Sequence, residues 1–402
     1  MTTNSLYSDL QCVECGKSHD IHTIHTLCEN PDCKAILSAH YNFSANTLTK
    51  EELKHRPATL WRYKEFLPIL NEEHIVNLGE GFTPIVLIQN LAQYTNGKTV
   101  LLKDESFNPT GSFKARGMAL AVSKAKELGV KECITPTAGN AGGALAAYSA
   151  RAGLKAHIYM PKLTPDAFKI EARLLGAEVI EIDGNIADCG KLVNVLAAER
   201  AWFDVSTLKE PFRLEGKKTM GYEIAEQLDW ELPDVILYPT GGGTGIVGIW
   251  KAFGELEKLG WIGSKRPRMV AVQSDSCNGI HTAFQNKAER SEYKDNGFTV
   301  ANGLRVPKPY ADKVILQVLR QSNGNSVSVS DAHILAALHE LSSHEGFLPA
   351  PEGAALWHAY KELSASGWIQ NGERVLLLST GSAYKYFDNI RAPHEEINEF
   401  FI

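Results

Sequence analysis

The chain has 402 residues, of which 44% are hydrophobic and 22% charged, with a formal net charge of −6. That length allows two lobes and a small appendage, and the composition is that of a soluble globular protein. Net negative charge gives no general attraction to nucleic acid or acidic membranes. No apolar run approaches the roughly 20 residues that span a bilayer. The start, Met1 to Leu6, has neither a signal-peptide pattern nor an Arg-rich transit pattern, so a cytoplasmic protein is expected.

Residues 1–50 read as a separate segment, with the catalytic domain running from 51 to 402. Cys12-x2-Cys15 and Cys28-x4-Cys33 supply four thiols in two nearby pairs, twelve residues apart. Such pairs suit a tetrahedral structural zinc site of the ribbon kind, and a cytosolic location makes disulfides the lesser expectation. A degenerate, metal-free ribbon is the alternative. The second pair is looser than the usual two-residue knuckle. His19, His22 and His25 lie between the pairs and could substitute as ligands, but their spacing gives no joint metal face and they read as mostly solvated. With four protein ligands the metal would be structural, since no coordination position stays open. Cys133, Cys189 and Cys277 are scattered and read as buried small apolar residues.

From about residue 98 to 250 strands alternate with helices. Thr99 to Leu102, Glu132 to Pro136, Ala156 to Met160 and Glu178 to Glu181 read as strands, which argues for parallel sheets with right-handed crossovers. The run Pro109-Thr110-Gly111-Ser112-Phe113-Lys114-Ala115-Arg116-Gly117 places a lysine where a tight, Gly-containing turn hands over to a helix, Ala115 to Leu128. A lysine amine becomes a nucleophile when burial and nearby positive charge lower its pKa, and it can then form a Schiff base with an aldehyde. Thr137-Ala138-Gly139-Asn140 follows the Glu132 strand and precedes the small-residue helix Ala144 to Ala152. Free N–H groups of Thr137, Ala138 and Gly139 could hold a substrate carboxylate, and the Asn140 amide could donate to a cofactor oxygen. Thr164 then reads as an N-cap with Pro165 at the first helical position, in a helix ending at Leu175 before Gly176.

Ser206 and Thr207 precede a basic stretch, Lys209, Arg213, Lys217 and Lys218, in an otherwise acidic protein. Arg213 suits fork-like recognition of phosphate, whereas Lys217 and Lys218 read more as a solvated face. Asp234 to Pro239 is a short buried strand running into Thr240-Gly241-Gly242-Gly243-Thr244-Gly245 and a helix, Ile246 to Leu259. Glycines between strand and helix let backbone N–H groups converge on one point, which makes a phosphate cup. The cup has neither the ending of a nucleotide P-loop nor the spacing of a dinucleotide fingerprint. Ser291 to Arg305 reads as loop. The strand Arg374 to Leu378 ends in Ser379-Thr380-Gly381, setting a hydroxyl at the mouth of a sheet. A Schiff-base lysine together with a separate phosphate cup points to one cofactor that is both aldehyde and phosphate ester: pyridoxal 5'-phosphate.

Seven stretches carry a resemblance: Leu78 to Pro84, Lys103 to Gly117, Ala138 to Ala141, Arg213 to Thr219, Gly241 to Gly245, Pro351 to Ala354 and Ser379 to Gly381. In this order they resemble the threonine synthases, of the α/β two-lobed fold type II of pyridoxal-phosphate enzymes. The resemblance implies parallel sheets flanked by helices and a smaller mobile lobe around residues 115–205. It implies that Lys114 carries the cofactor, Asn140 bonds its 3-oxygen, Gly241 to Gly245 hold its phosphate and the Thr380 hydroxyl faces the pyridine nitrogen. A nitrogen that is not held protonated weakens the electron sink and leaves eliminations and replacements. Lys114 would be the general base. Arg213 stands where the family's arginine contacts the phosphate of O-phosphohomoserine. The implied reaction is γ-elimination of phosphate, then addition of water to give L-threonine.

One residue departs from the family's pattern. Ala115 follows the lysine where threonine synthases commonly have Asp, and dehydratases carry an apolar residue there. A serine/threonine ammonia-lyase therefore stays open, although no regulatory domain follows the catalytic segment. A replacement enzyme on another phosphorylated amino acid, such as a cysteate synthase, also stays open, as does a non-catalytic relative. The expected partner is a small amino-acid substrate, with neither nucleic acid nor membrane, and a homodimer is the expected assembly.

Overall fold

The structure, a computed structural model, describes residues 5–95, 97–294 and 297–390. Residues 1–4 of the N-terminal reading, and 295 and 296 of the 291–305 stretch, lie outside these limits. What is described of 291–305 is loop, apart from a short 3-10 turn at Asn302–Leu304.

The N-terminal segment is a small antiparallel sheet in the order β2-β1-β3, formed by β1 (Tyr7–Cys12), β2 (Ser18–His19) and β3 (Leu37–Tyr41). Leu37, Ala39 and Tyr41 alternate inward along β3, as a half-buried strand requires. Backbone and side-chain contacts tie this ribbon to the rest of the chain, among them Lys251 Nζ donating to the Ala39 carbonyl at 2.6 Å. The Tyr41 hydroxyl donates to Glu215 Oε2 at 2.7 Å, and Glu14 pairs with Arg290 at 2.6 Å.

The larger sheet contains β4 (Ile85–Leu87), β5 (Thr99–Asp104), β10 (Val235–Pro239), β11 (Arg268–Ser274), β12 (Asn325–Val329) and β13 (Arg374–Ser379). Their order is β12-β11-β10-β13-β5-β4. The second sheet, β6 (Glu132–Pro136), β7 (Lys155–Pro161), β8 (Glu178–Ile182) and β9 (Phe203–Asp204), has the order β8-β7-β6-β9. Its pairs are all parallel. The strands expected from sequence are present within two residues of their bounds. Edge strand β4 was not anticipated and is antiparallel, because the 88–98 connection is too short for the crossover a parallel neighbour needs. Central strands such as β10 are buried along their whole length, which is why they read as continuous apolar runs.

Six helices bear on the site: α1 (Lys114–Glu127), α2 (Asn140–Ala152), α3 (Asp166–Leu174), α4 (Phe212–Gln227), α5 (Thr244–Lys258) and α6 (Pro351–Ala365). Helix α2 starts at Asn140, four residues earlier than expected. Its glycines serve close approach, for a Cβ on Gly143 would lie 1.9 Å from Glu171 Oε2. The cap assigned to Thr164 is absent: Pro165 keeps an extended ψ of 140°, so the helix starts one residue later, at Asp166.

Helices α1 and α4 cross at Gly117 and Gly216, where a Cβ on Gly216 would sit 2.1 Å from the Arg116 carbonyl oxygen. Beneath the crossing Arg116 bonds Glu105 at 2.6 Å and Glu223 at 2.7 Å, and Lys103 pairs with Glu223 at 3.0 Å. All four side chains are fully buried, two cations against two carboxylates. Burial pushes the Glu223 carboxyl up, but Arg116 and Lys103 outweigh it and hold the group at about 2.

Candidate active site

The turn before α1 is held against the end of β13. Thr110 and Gly111 both take left-handed backbone (φ +59° and +64°), and Ser112 forms a bridge with Gly381. Phe113 N donates to the Thr380 carbonyl at 3.0 Å, and Ser382 N to the Gly111 carbonyl at 3.1 Å. Lys114 thus opens α1 at the mouth of the larger sheet. Burial first, then the Arg213 guanidinium, push its amine down to about 8, against the opposing pull of Glu352. Burial and a neighbouring cation are the two conditions under which a lysine amine becomes a nucleophile.

Lys114 borders a cavity of about 480 Å³ whose wall includes Thr137, Ala138, Gly139, Asn140, Ser206, Thr207, Gly241, Gly242, Gly243, Thr244 and Thr380. Most of the expected site residues therefore meet in one cleft between the two sheets. Gly243 takes φ +77° in the turn onto α5. Gly245 lies outside the cavity: a Cβ there would fall 1.9 Å from the Tyr238 hydroxyl oxygen, so this glycine packs α5 onto β10.

The Asn140 amide is oriented from two sides. Its Nδ2 donates to the Tyr386 hydroxyl at 3.3 Å, and its Oδ1 accepts from Lys385 Nζ at 3.2 Å. Lys385 also bonds the Thr110 carbonyl and Glu171, each at 2.7 Å, and so spans the cleft from the end of β13 to α3. Two of the three N–H groups expected to be free are already engaged: Thr137 N donates to the Tyr159 carbonyl at 2.9 Å and Gly139 N to Thr137 Oγ1 at 3.1 Å, so both serve the loop rather than a ligand. Ser206 turns its hydroxyl hydrogen onto Asp204.

Arg213 is placed differently from expectation. It is buried behind the Val205–Thr207 wall and does not line the cavity; its Nη1 donates to the Val205 carbonyl at 2.5 Å. Its Nε and Nη2 have no partner among the described residues. Glu210, which caps the start of α4 through Phe212 N at 2.7 Å, is pushed up to about 7 by burial, with Arg213 opposing. Lys217 and Lys218 correct the solvated reading outright, because both are fully buried. Lys217 donates to Thr244 Oγ1 at 2.8 Å, and Lys218 pairs with Glu215 at 2.6 Å.

Sequence reasoning passed over Glu352, Tyr386, Lys385 and Asn302, all beside the cavity or its rim. Glu352 Oε1 accepts from Gly303 N at 2.6 Å and the Tyr386 hydroxyl at 3.0 Å, while its buried Oε2 has no partner among the described residues. A clue was present: an acid in the first turn of the Ala-rich helix after Pro351. Ala115, the departure from the family's pattern, is wholly buried in the packing of α1 and lies away from the cavity wall.

In the ribbon the Sγ atoms of Cys12, Cys15, Cys28 and Cys33 all lie within 4.8 Å of one another. The Cys12–Cys33 and Cys15–Cys28 separations are 3.5 and 3.6 Å, close to the edges of a tetrahedral zinc–thiolate site. The donor set fits zinc. His19 and His25 are buried rather than solvated. They serve Glu29, whose N donates to His19 Nε2 at 3.2 Å and whose carboxylate meets His25 at 2.9 Å. His22 is exposed, and Cys133, Cys189 and Cys277 are buried as expected.

A lysine with its amine lowered by burial, a glycine run where a Cβ on Gly241 or Gly243 would strike the Gly303 carbonyl oxygen or Ile315, and polar atoms around one cleft left without partners among the described residues fit pyridoxal phosphate. The family model for pyridoxal-phosphate dependent enzymes matches residues 76–381. Among curated relatives, the threonine synthase of Methanocaldococcus jannaschii is 36% identical over 96% of this chain and 95% of its own. That of Methanosarcina acetivorans is 34% identical over 94% and 92%. Maize serine racemase shares the fold at a TM-score of 0.65, with 20% identity, covering 75% of this chain and 88% of its own. Among the described residues no helix is long and apolar enough to cross a membrane. From residue 76 to 381, and over nearly the whole length of its archaeal relatives, the chain belongs to the pyridoxal-phosphate dependent enzymes and, within them, to the threonine synthase family.

Proposed function

We propose that the protein converts O-phospho-L-homoserine and water to L-threonine and phosphate. The observation that carries this reading is Arg213: a buried guanidinium with two unpartnered nitrogens, close enough to lower the Lys114 amine, and separate from the glycine cup. Two anion sites flank one lysine, which matches a phosphorylated cofactor acting on a phosphorylated substrate. When bound, pyridoxal phosphate supplies an electron sink for a carbanion beside the amino nitrogen. Lys114 holds the cofactor and moves protons at the substrate carbons. Asn140 bonds the 3-oxygen, and Gly241, Gly242, Gly243 and Thr244 hold the cofactor phosphate. The Thr380 hydroxyl faces the ring nitrogen without protonating it. The Ala138 N–H and those that open α2 bind the substrate carboxylate, in a loop that Thr137 holds in shape through Gly139 and the Tyr159 carbonyl. Arg213 takes the substrate phosphate once the Val205–Thr207 wall in front of it moves aside, with Thr207 at its edge. The segment 115–205 acts as the lobe that closes over them, and the Lys385–Glu171 ion pair across the cleft supports that reading.

The test is phosphate release from O-phospho-L-homoserine by the purified holoenzyme, with amino-acid analysis of the product. Stoichiometric threonine and phosphate are expected. Arg213→Ala should lose turnover while keeping the cofactor's absorption spectrum. Release of 2-oxobutanoate from L-threonine, without turnover of the phosphorylated substrate, would overturn the assignment in favour of an ammonia-lyase.

A further inference from the structure

Lys217 lies one helical turn beyond Arg213 on α4, so the two cations share a face. Its side chain runs across Gly117 of α1, where a Cβ would lie 3.1 Å from Lys217 Cε; the missing side chain leaves the lysine its path. The ammonium ends 2.8 Å from Thr244 Oγ1 and 5.1 Å from the centroid of the Phe113 ring. Thr244 and Phe113 both border the cavity, so Lys217 sits directly behind its floor.

A fully buried ammonium normally has a carboxylate partner, because an uncompensated charge costs several kcal/mol to desolvate. Among the described residues no carboxylate pairs with Lys217, and Thr244 Oγ1 engages one of its three donors. Its near neighbours in charge are Arg213 and Lys114. Burial, followed by these two, pushes the amine well below its ordinary range, with Glu210 opposing. A hydroxyl that accepts from an ammonium has its own hydrogen free to donate onward. Thr244 starts α5 at the end of the glycine run, so that hydrogen and the helix N-terminus serve the same point.

We propose that Lys217 is the counter-charge of the glycine cup: it stands behind Thr244, turns that hydroxyl into a donor toward a phosphate monoester, and neutralises the phosphate through it. Lys217 is thus a positioning residue for phosphate, distinct from the backbone cup and from Arg213. Its contact with the cup assigns it to the cofactor's phosphate rather than the substrate's.

The test compares apoprotein of the wild type with Lys217→Met, using pyridoxal phosphate, pyridoxal and inorganic phosphate as probes. Lys217→Met should weaken pyridoxal phosphate binding about 10- to 100-fold, the range of a charge-assisted hydrogen bond. Binding of pyridoxal, which has the aldehyde and no phosphate, should be unchanged. Inorganic phosphate should raise the melting temperature of the wild-type apoprotein and not that of Lys217→Met, and Lys217→Arg should recover part of the affinity. Equal losses for pyridoxal and pyridoxal phosphate would mean a merely structural role and overturn the proposal. Unchanged cofactor binding with a raised KM for O-phospho-L-homoserine would overturn the cofactor assignment and give the lysine to the substrate. If Lys217→Met does not fold, Thr244→Val removes the same relay, and the three probes apply to it with the same outcomes.

Discussion

Replacing Gly216 with alanine tests whether the α1–α4 crossing sets the position of Lys114. The added Cβ would lie 2.1 Å from the Arg116 carbonyl oxygen and 2.8 Å from its carbon, where real contacts begin at 3.0 Å. Both obstacles are backbone, so no side-chain rotation relieves them, and the helices must part by roughly 0.9 Å. Overpacking of this kind costs typically 1–3 kcal/mol, and a backbone clash belongs near the upper end, about 3 kcal/mol. With an unfolding entropy of about 2.1 cal/mol/K per residue, that is a fall in melting temperature of roughly 3–4 °C. The functional loss should be larger than the structural one. Arg116 lies two residues beyond Lys114 on α1, while Arg213 and Lys217 belong to α4, so parting the helices separates the lysine from both cations. A displacement near 1 Å at a reacting group costs on the order of 100-fold. Thermal unfolding of the holoenzyme and kcat for phosphate release would be measured side by side. Gly216→Ala should bind cofactor, melt a few degrees early and turn over about 100-fold more slowly. A variant with wild-type melting and turnover would refute the claim that a fixed backbone contact positions Lys114.

The rate at which apoprotein captures pyridoxal phosphate should rise with pH to a midpoint near 8 and then level, since the neutral amine reacts. An unperturbed lysine would keep rising toward 10.5, and Arg213→Ala should move the midpoint upward by removing a repelling charge. For the ribbon, about one zinc per chain is expected by elemental analysis, with loss of the metal and an earlier unfolding transition after Cys28→Ser; a metal-free wild-type chain of full stability would count against the site.

The elements that could be read from sequence were those whose signal is local. Strand β10 is a continuous apolar run ended by glycines, and the Lys114 turn carries Pro, Gly and Ser in the order a tight turn uses. The basic stretch at 209–218 misled for a physical reason. Helix α4 is wedged between α1 and α5, so charged positions that look like a wet face are buried around nearly the whole helix. No periodicity in one helix reveals what its neighbours cover. Glu352 and Tyr386 were missed similarly: their meeting joins α6 to the chain after β13, a distance of 34 residues, and neither belongs to a local motif. The burial of His19 and His25 is not legible in the sequence because their partner, Glu29, sits outside their own strand and turn, whereas His22 is exposed as expected.

The order of the larger sheet has a consequence for how the protein is made. Strand β13, the last strand among the described residues, lies between β10 and β5 rather than at an edge. During synthesis the earlier strands emerge with a gap at the centre of their sheet, flanked by two exposed ladders, until residues Arg374–Ser379 leave the ribosome. The second sheet, by contrast, is drawn from one continuous stretch and can pair as soon as β9 is complete. Unfinished chains are therefore vulnerable to edge-to-edge association through the β10 and β5 ladders, and a chaperone holding them would act on that seam. A chain cut short before Arg374 carries Lys114, the glycine cup and Arg213, and still has no cleft to put them in.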